Sequence, residues 1–208
     1  MACAPGGCSG KTADPIWRNV SRSSGAALGD VFSFLSALYF RGKLAYAQAF
    51  SCPPSNCPGI FIVTPTAGLV PHDTLIRLPK LRGFSRVPIH VKNRLYYSSL
   101  RRTAKKLASR IGSDCEVVLL GSLASRKYLE ILSPIFGSRL VAHAEFIGLG
   151  DMSRGGLLLR HVRENRELNY VDGTILTQYK MNRPRTNRKP AESRPSLNHV
   201  LSVFLSQT

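Results

Sequence analysis

The stretch CEVVLLGSLASRKYLEILSPIFGSRLVAHAEFIGLGDMSRGGLLLR, residues 115–160, decides the fold of this chain. It contains two successive strand-to-loop-to-helix patterns. Residues 116–120 are a short apolar run rich in valine and leucine, which is typical of a strand buried on both faces. The run ends at Gly121 and Ser122, and the spacing predicts a helix over residues 126–132.

The second pattern ends in the loop GLGDMSRGG, residues 148–156, which leads into a helix predicted to start near Ser153 or Arg154. Free backbone N–H groups and the positive end of the helix dipole would then face the same crevice as the first loop. Gly155 and Gly156 lower helix propensity, so a ligand that approaches the backbone, or tight packing against a strand, should offset that loss. We expect an anionic or nucleotide-like ligand here.

The rest of the chain continues the alternation of strands and helices. Further strands are predicted at 60–63, 139–142 and 167–171, and further helices at 26–50, 96–111 and 154–164. Residues 64–73 read as an irregular loop and 77–94 as an extended basic linker. Short apolar strands that alternate with helices predict an α/β fold, a single Rossmann-like domain with a mostly parallel sheet and helices on both faces.

Composition divides the chain into three parts. Residues 1–25 are small and polar and are predicted to be a flexible N-terminus, and 26–173 form the α/β domain. Residues 174–208 are predicted to be a basic, largely disordered tail with a short apolar helix at 197–205. Neither a secretory signal nor an apolar run of about 20 residues is visible, so a cytoplasmic location without membrane contact is expected.

The net charge of +17 is the strongest compositional signal. Residues 77–110 hold eleven Lys or Arg and no Asp or Glu. This bias favours nucleic acid or another polyanion as partner, although a solvated basic face would give the same count. The predicted contacts lie on the polar face of the amphipathic helix 96–111: Arg101, Arg102, Lys105 and Lys106.

The five cysteines do not suggest a disulfide framework, since their number is odd and their spacing loose. Cys52 and Cys57 could start a zinc site, but no second Cys or His pair at ligand spacing follows. No metal and no cofactor is therefore expected.

The candidate polar residues come from the loops that follow predicted strands. Open α/β sheets bind ligands at the carboxyl ends of their strands, so the loop after strand 60–63 is expected on the ligand side. The predicted catalytic residues, one of which could act as a general base, are Asp73 and Asp151. The predicted ligand-binding residues are Thr74, Gly121, Ser122, Lys127, Ser153, Arg154, Gly155 and Gly156.

Four motifs carry a resemblance to known proteins: YFRGKLAYAQAF, VTPTAGLVPHDTLI, VVLLGSLASRKY and GDMSRGGLLLR. Together they resemble an uncharacterised family of bacterial α/β proteins over residues 34–171. The proline-flanked GLVP loop also resembles, more distantly, the YaaA-like domains and the central domain of archaeosine synthases. Those proteins are tied to DNA or to deazapurine-modified tRNA, so the resemblance implies an α/β fold and a nucleic-acid context.

These observations predict a nucleotide- or nucleic-acid-handling protein that binds a phosphate or nucleoside group at the loops after the strands. Two alternatives stay open. One is a non-catalytic polyanion-binding module in which the crevice is only packed. The other is an enzyme that acts on a small anionic metabolite. The sequence does not determine a reaction or an oligomeric state.

Overall fold

The computed structural model describes residues 15–22, 24–36, 38–121, 126–146, 149–172 and 199–205. The predictions for Ser122, for residues 1–14 and for most of the basic tail lie outside the described residues.

A six-stranded sheet forms the centre of the molecule, in the order β3-β2-β8-β5-β6-β7. The four inner strands run parallel to one another, and the two edge strands are antiparallel to their neighbours. A two-stranded sheet of β1 and β4 lies beside it. The strands are β1 Ala26–Ala27, β2 Ile60–Thr64, β3 Gly68–Pro71, β4 Leu75–Ile76, β5 Cys115–Leu119, β6 Leu140–His143, β7 Tyr170–Asp172 and β8 His199–Leu205.

Helices cover both faces of the large sheet. Side chains of α5 and α6 pack on one face, against residues such as Val117 and Val203. Side chains of α2, α3 and α7 pack on the other face, against residues such as Ile62 and Val118. The helices are α1 Pro15–Ser21, α2 Leu28–Leu35, α3 Leu38–Phe50, α4 Leu78–Ser85, α5 Arg94–Ala108, α6 Arg126–Phe136 and α7 Asp151–Arg163.

This architecture confirms the predicted fold class, a single Rossmann-like α/β domain with a mostly parallel sheet. The reason is visible in β2 and β6, every residue of which is buried. Strands that are covered on both faces need a continuous apolar run, which is the pattern that the sequence shows. Among the described helices, none combines the length and the apolar character needed to cross a membrane.

The predicted helix at 197–205 is wrong, because His199–Leu205 is strand β8 in the middle of the large sheet. It pairs in parallel with β2 on one side and β5 on the other, and Leu201 and Val203 are fully buried. The domain therefore extends beyond the predicted boundary at 173. It also begins before residue 26, since α1 buries Val20 in the core.

The predicted loop at 64–73 is instead a hairpin. β3 turns back antiparallel on β2, with Gly68 opposite Thr64 and Pro71 opposite Phe61. Gly68 has a φ of +69°, a conformation that favours glycine, and a Cβ there would clash with the Ser99 carbonyl oxygen. The predicted linker at 77–94 likewise contains a helix, α4, with Pro79 in its first turn.

Candidate functional site

Two helices from different parts of the chain cross closely at the carboxyl end of the sheet. α3 and α7 meet where Gly42 faces Gly155. A Cβ on Gly155 would lie 2.9 Å from the backbone N and Cα of Tyr39, and one on Gly42 would lie 2.8 Å from the Gly155 carbonyl oxygen. Of the two explanations for Gly155, tight packing is the one that these distances support, although the packing partner is a helix and not a strand.

This crossing places Arg154 against α3. The Arg154 side chain is 9% exposed. Its Nη1 donates to Oδ1 of Asp151 at 3.1 Å, and its Nε donates to the Phe146 carbonyl oxygen at 3.2 Å. The guanidinium carbon lies 5.9 Å from the centre of the Tyr39 ring. Asp151 and Arg154 therefore meet, as their spacing at the start of a helix allows.

Lys43 is a residue of this site that the sequence reasoning missed. It follows Tyr39 by one helical turn and is 1% exposed. Its Nζ lies 4.5 Å from the centre of the Tyr39 ring and 5.5 Å from that of Phe40. Burial lowers the pKa of Lys43 to about 7, with Asp151 opposing that shift and Arg154 adding to it. A lysine placed within an otherwise apolar helical pattern was the signal that could have found it.

Two buried tyrosines complete the surroundings. Burial raises the pKa of Tyr39 and that of Tyr128, and both phenols also feel the charges of Arg154 and Asp151. Tyr128 belongs to α6 on the opposite face of the sheet and closely approaches Gly121, where a Cβ would lie 2.8 Å from its hydroxyl. The site therefore lies at the end of β5, between the two helix layers. We call Tyr39, Lys43, Asp151, Arg154 and Tyr128 the carboxyl-edge cluster.

The Tyr39 hydroxyl is a buried polar group within this cluster. Tyr39 is 1% exposed, and its hydroxyl has no hydrogen-bond partner of good geometry within the described part of the chain. The Arg154 guanidinium opposes the rise in the pKa of Tyr39 through its charge and through a side-chain hydrogen bond, although that bond is too long or too bent to have good geometry.

Several predicted residues lie elsewhere. His72 donates its backbone N–H to the Ile60 carbonyl oxygen, so the hairpin returns Asp73 and Thr74 to the amino end of β2. The prediction that Asp73 shares an edge with Asp151 is wrong, because β3 reverses the chain direction before Asp73 is reached. Asp73 is exposed, and the Thr74 carbonyl oxygen accepts from the Leu28 N–H.

Three further predicted ligand residues are not part of the cluster. Lys127 is exposed on α6, and its carbonyl oxygen accepts from the Tyr96 hydroxyl. Ser153 is exposed in the first turn of α7, and Gly156 has open space where a Cβ would lie.

A second candidate surface is the outer face of α5. Asn93 caps this helix, since its Oδ1 accepts from the N–H groups of Leu95 and Tyr96. The inner face is anchored by Leu100, Ala104 and Leu107, all buried. The four predicted nucleic-acid contacts are exposed together on the other side, Arg101, Arg102, Lys105 and Lys106.

No carboxylate in the described part of the chain forms an ion pair with these four cations. Arg94 and Tyr97 are exposed on the same helix, with Tyr97 at 39%. We call Arg94, Tyr97, Arg101, Arg102, Lys105 and Lys106 the α5 cationic face. Its positive charge is therefore directed to solvent.

The described cysteines are free thiols: Cys52 is exposed, Cys57 is half-buried and Cys115 is buried. Burial raises the pKa of the Cys57 and Cys115 thiols, which disfavours the thiolate form that reacts and binds metals. Within the described ranges, no three His, Cys, Asp or Glu side chains are grouped as a metal site requires.

The fold and the two surfaces define an α/β protein with a buried basic cluster at the carboxyl edge and an exposed basic helix. No protein-family model, curated protein or solved structure matches this chain. The resemblance to the bacterial family and to the YaaA-like domains stays a prediction.

Proposed function

We propose that this protein binds single-stranded nucleic acid along the α5 cationic face. The observation that carries the proposal is that Arg101, Arg102, Lys105 and Lys106 are exposed side by side without a carboxylate partner in the described chain. An unpaired row of cations attracts a phosphate backbone, because binding releases the counterions condensed on it.

The shape of α5 suits a strand that lies along it. The helix has 15 residues and is therefore about 22 Å long. Its cations occupy two successive turns, because Arg101 and Lys105 are four residues apart, as are Arg102 and Lys106. The buried inner face holds the helix on the sheet, so the charges sit on a rigid support.

Tyr97 favours a single strand over a duplex. Its ring is one turn before Arg101 and is 39% exposed, in contrast to the buried Tyr96 beside it. An exposed aromatic ring among cations can stack on an unpaired base, a contact worth about 1 to 3 kcal/mol, whereas the bases of a duplex are already stacked on each other.

Fluorescence anisotropy with a labelled single-stranded oligonucleotide, repeated over a salt series, tests the role of the charges. The double variant Arg101→Gln/Arg102→Gln should lose about tenfold in affinity at moderate salt. The slope of log affinity against log salt should become shallower by about 1 to 1.4, the value for two lost phosphate contacts on a single strand.

The matched control is Arg160→Gln/Arg163→Gln, which removes the same charge from exposed positions of α7 in the opposite helix layer. This control should keep most of the affinity and nearly the full slope. Equal losses in the two double variants would show that only net charge matters, and would contradict a site on α5.

Tyr97 is tested by a separate substitution. Tyr97→Ser should weaken binding of a single strand by about tenfold without changing the salt slope, because stacking does not release counterions. Tyr97→Phe keeps the ring and should bind like the unchanged protein. Equal affinity of Tyr97→Ser and the unchanged protein would exclude base stacking at this position.

A further inference from the structure

A second group of exposed cations lies on and beside α4. The inner side of this helix is held by Phe84, which is buried, and by Leu78 and Leu81, which pack against the same core. We call the exposed basic residues the α4 cations: Arg77, Lys80, Arg82 and Arg86. No carboxylate in the described part of the chain forms an ion pair with them. Protein surfaces ordinarily mix charges of both signs, so a local group of one sign favours a partner of the opposite charge.

α4 and α5 lie on opposite faces of the large sheet, next to the same edge strand, β3. On one face, Phe84 of α4 stacks on Phe32 of α2, with ring centres 6.5 Å apart. The His72 carbonyl oxygen, directly after β3, accepts from a backbone N–H of α2 at 2.7 Å. On the other face, the Leu69 N–H of β3 donates to Oγ1 of Thr103 on α5 at 2.9 Å. The two helices are therefore neighbours across the β3 edge.

The chain between the two helices passes around this edge. Phe84 belongs to the core on the face of α2, whereas Val87 packs against the core on the face of α5. Lys92 and Arg94 are exposed between Val87 and the main cations of α5. Residues 77–110 contain no Asp or Glu, so the exposed cations form a series that runs from one face of the sheet to the other.

The position of these cations on two faces of a sheet limits which polyanion can contact all of them. A flat bilayer can contact only one face. A DNA duplex has a persistence length of about 150 base pairs and does not bend around the edge of a single sheet. A single strand can follow such a surface, because its backbone is flexible. The geometry therefore favours the partner that Tyr97 favours on α5.

A cavity of about 350 Å³ opens beside the α4 cations and is lined by Ser24, Leu75, Ile76, Arg77, Pro79 and Lys80. Its volume is at the lower end of the range for ligand pockets, about 300 to 1,000 Å³. Leu75 is 66% exposed and offers apolar surface next to two cations. Such a surface suits an unpaired base whose phosphate contacts the neighbouring cations.

We propose that the single strand bound on α5 continues around the β3 edge and contacts the α4 cations. This extension rests on the proposed function of the α5 cationic face. α5 is about 22 Å long, and α4, with eight residues, is about 12 Å long. At about 3.4 Å between the phosphates of a stacked strand, about five nucleotides fit on α5 alone. A strand of about 16 nucleotides, the upper end of the site sizes of single-strand-binding folds, should reach both helices.

Fluorescence anisotropy of the full chain with labelled single strands of these two lengths tests the proposal. The double variant Arg82→Gln/Arg86→Gln should lose about tenfold in affinity for the long strand at moderate salt, and its salt slope should become shallower by about 1 to 1.4. Its affinity for the short strand should change by less than about twofold, because that strand is held on α5. Unchanged affinity for the long strand, or equal losses for the two lengths, overturns the proposal.

The matched control is Arg160→Gln/Arg163→Gln, which removes the same charge from α7 in the helix layer that also contains α4. This control should keep most of its affinity for the long strand. A loss as large as that of Arg82→Gln/Arg86→Gln would show that only net charge matters, and would overturn a contact at α4.

Gly83 allows a second test that removes no cation. A Cβ at Gly83 would have nothing within 4 Å, and glycine disfavours the helix, so Gly83→Glu and Gly83→Ala should both fold with an unchanged or raised Tm. Gly83→Glu places a carboxylate among Lys80, Arg82 and Arg86, so it should weaken binding of the long strand several-fold. Gly83→Ala should bind like the unchanged protein. Equal affinity of the two variants for the long strand would overturn the proposal.

Two further probes test whether the partner is a flexible strand. With a duplex of about 16 base pairs, Arg82→Gln/Arg86→Gln should lose no more affinity than the α7 control, because the duplex does not bend around β3. A loss as large as that for the single strand would overturn the proposed path. Tighter binding to vesicles of anionic phospholipid than to the long strand would overturn it as well.

Failure of this extension and failure of the α5 site give different results. Losses in Arg101→Gln/Arg102→Gln at both lengths, together with no loss in Arg82→Gln/Arg86→Gln, leave the α5 site in place and overturn only its extension. A loss in Arg82→Gln/Arg86→Gln alone overturns the proposed function of α5, and the α4 cations would then bind the strand independently.

Discussion

Gly155 and Gly156 are neighbours in α7 but face different surroundings. A methyl group on Gly155 would press on the backbone of Tyr39, whereas nothing lies within 4 Å of one on Gly156. Gly155→Ala should therefore destabilise the protein by about 1 to 3 kcal/mol, because backbone atoms cannot yield as a side chain does. Gly156→Ala should be neutral or stabilising by up to about 1 kcal/mol, since alanine favours the helix. Urea unfolding measures both.

The order of these two effects is the informative result. Equal destabilisation by the two substitutions would mean that the close crossing of α3 and α7 at Gly42 and Gly155 does not exist in solution. The same crossing places Tyr39 beside Arg154, so this comparison also tests the geometry of the carboxyl-edge cluster.

His143 gives a prediction on pH. It is fully buried at the end of β6, with ring centres of Tyr46, Phe146 and Tyr170 at 5.2, 5.1 and 5.0 Å. Burial lowers the pKa of His143 to about 3, below the ordinary 6.5. The folded state therefore binds fewer protons than the unfolded state between these values. The free energy of unfolding that depends on neutral His143 is complete above about pH 6.5 and is lost as the pH falls towards 3.

The variant His143→Phe tests this linkage. Between pH 7 and pH 4.5, its loss of unfolding free energy should be smaller than that of the unchanged protein by about 2 to 3 kcal/mol. Urea titrations at the two pH values measure the difference. An identical loss in the two proteins would show that His143 does not titrate with an altered pKa in the fold.

Among individual residues, the sequence predicted Asp151 and Arg154 as site residues but did not predict Tyr39 and Lys43. The first pair is local, since three residues at a helix start bring the side chains together. Tyr39 and Lys43 approach Asp151 and Arg154 only because α3 and α7 cross, and these helices are more than a hundred residues apart in the chain. Tyr39 is buried in the core, and the helical period of its segment cannot identify what its hydroxyl faces.

Strand β8 is the element on which the sheet depends most. It separates β2 from β5 and pairs with both along its length. A chain that ends at residue 198 should therefore lose cooperative unfolding, because it exposes two unpaired strands and the core around Leu201 and Val203. A chain that ends at residue 205 is the control and should unfold like the full chain.

Circular dichroism and thermal unfolding of the two truncated chains check this expectation. A cooperative transition with an unchanged Tm in the chain that ends at residue 198 would contradict the central position of β8. It would instead indicate that the sheet folds without residues 199–205.

The elements that the sequence predicted well have one clear period. α5 has apolar residues on one side and cations on the other, and β2, β5 and β6 are short, largely apolar runs. The prediction for β8 was wrong because a short apolar run suits a buried helix as well as a buried strand. Its pairing partners, β5 and β2, lie about 80 and 140 residues away in the chain. The hairpin of β2 and β3 was not predicted because Gly68 and two prolines are typical of an irregular loop.

For the molecule as a whole, two groups of cations in the described residues differ in their exposure. The α5 cationic face is open to solvent on one side of the sheet, and the carboxyl-edge cluster is enclosed at the end of β5. The net charge of +17 alone cannot distinguish a nucleic-acid surface from a generally alkaline protein. The arrangement of the cations can distinguish the two, because a binding surface is a local group of cations, whereas a generally alkaline protein attracts polyanions over its whole surface.

An NMR titration of the full chain with a short single-stranded oligonucleotide therefore tests the nucleic-acid surface most directly. Amide signals of α5, Arg94–Ala108, should shift in a saturable way, while those around Arg160 and Arg163 on α7 stay in place. Shifts that spread evenly over the exposed cations, or that leave α5 unchanged, would contradict the proposal that α5 binds the strand.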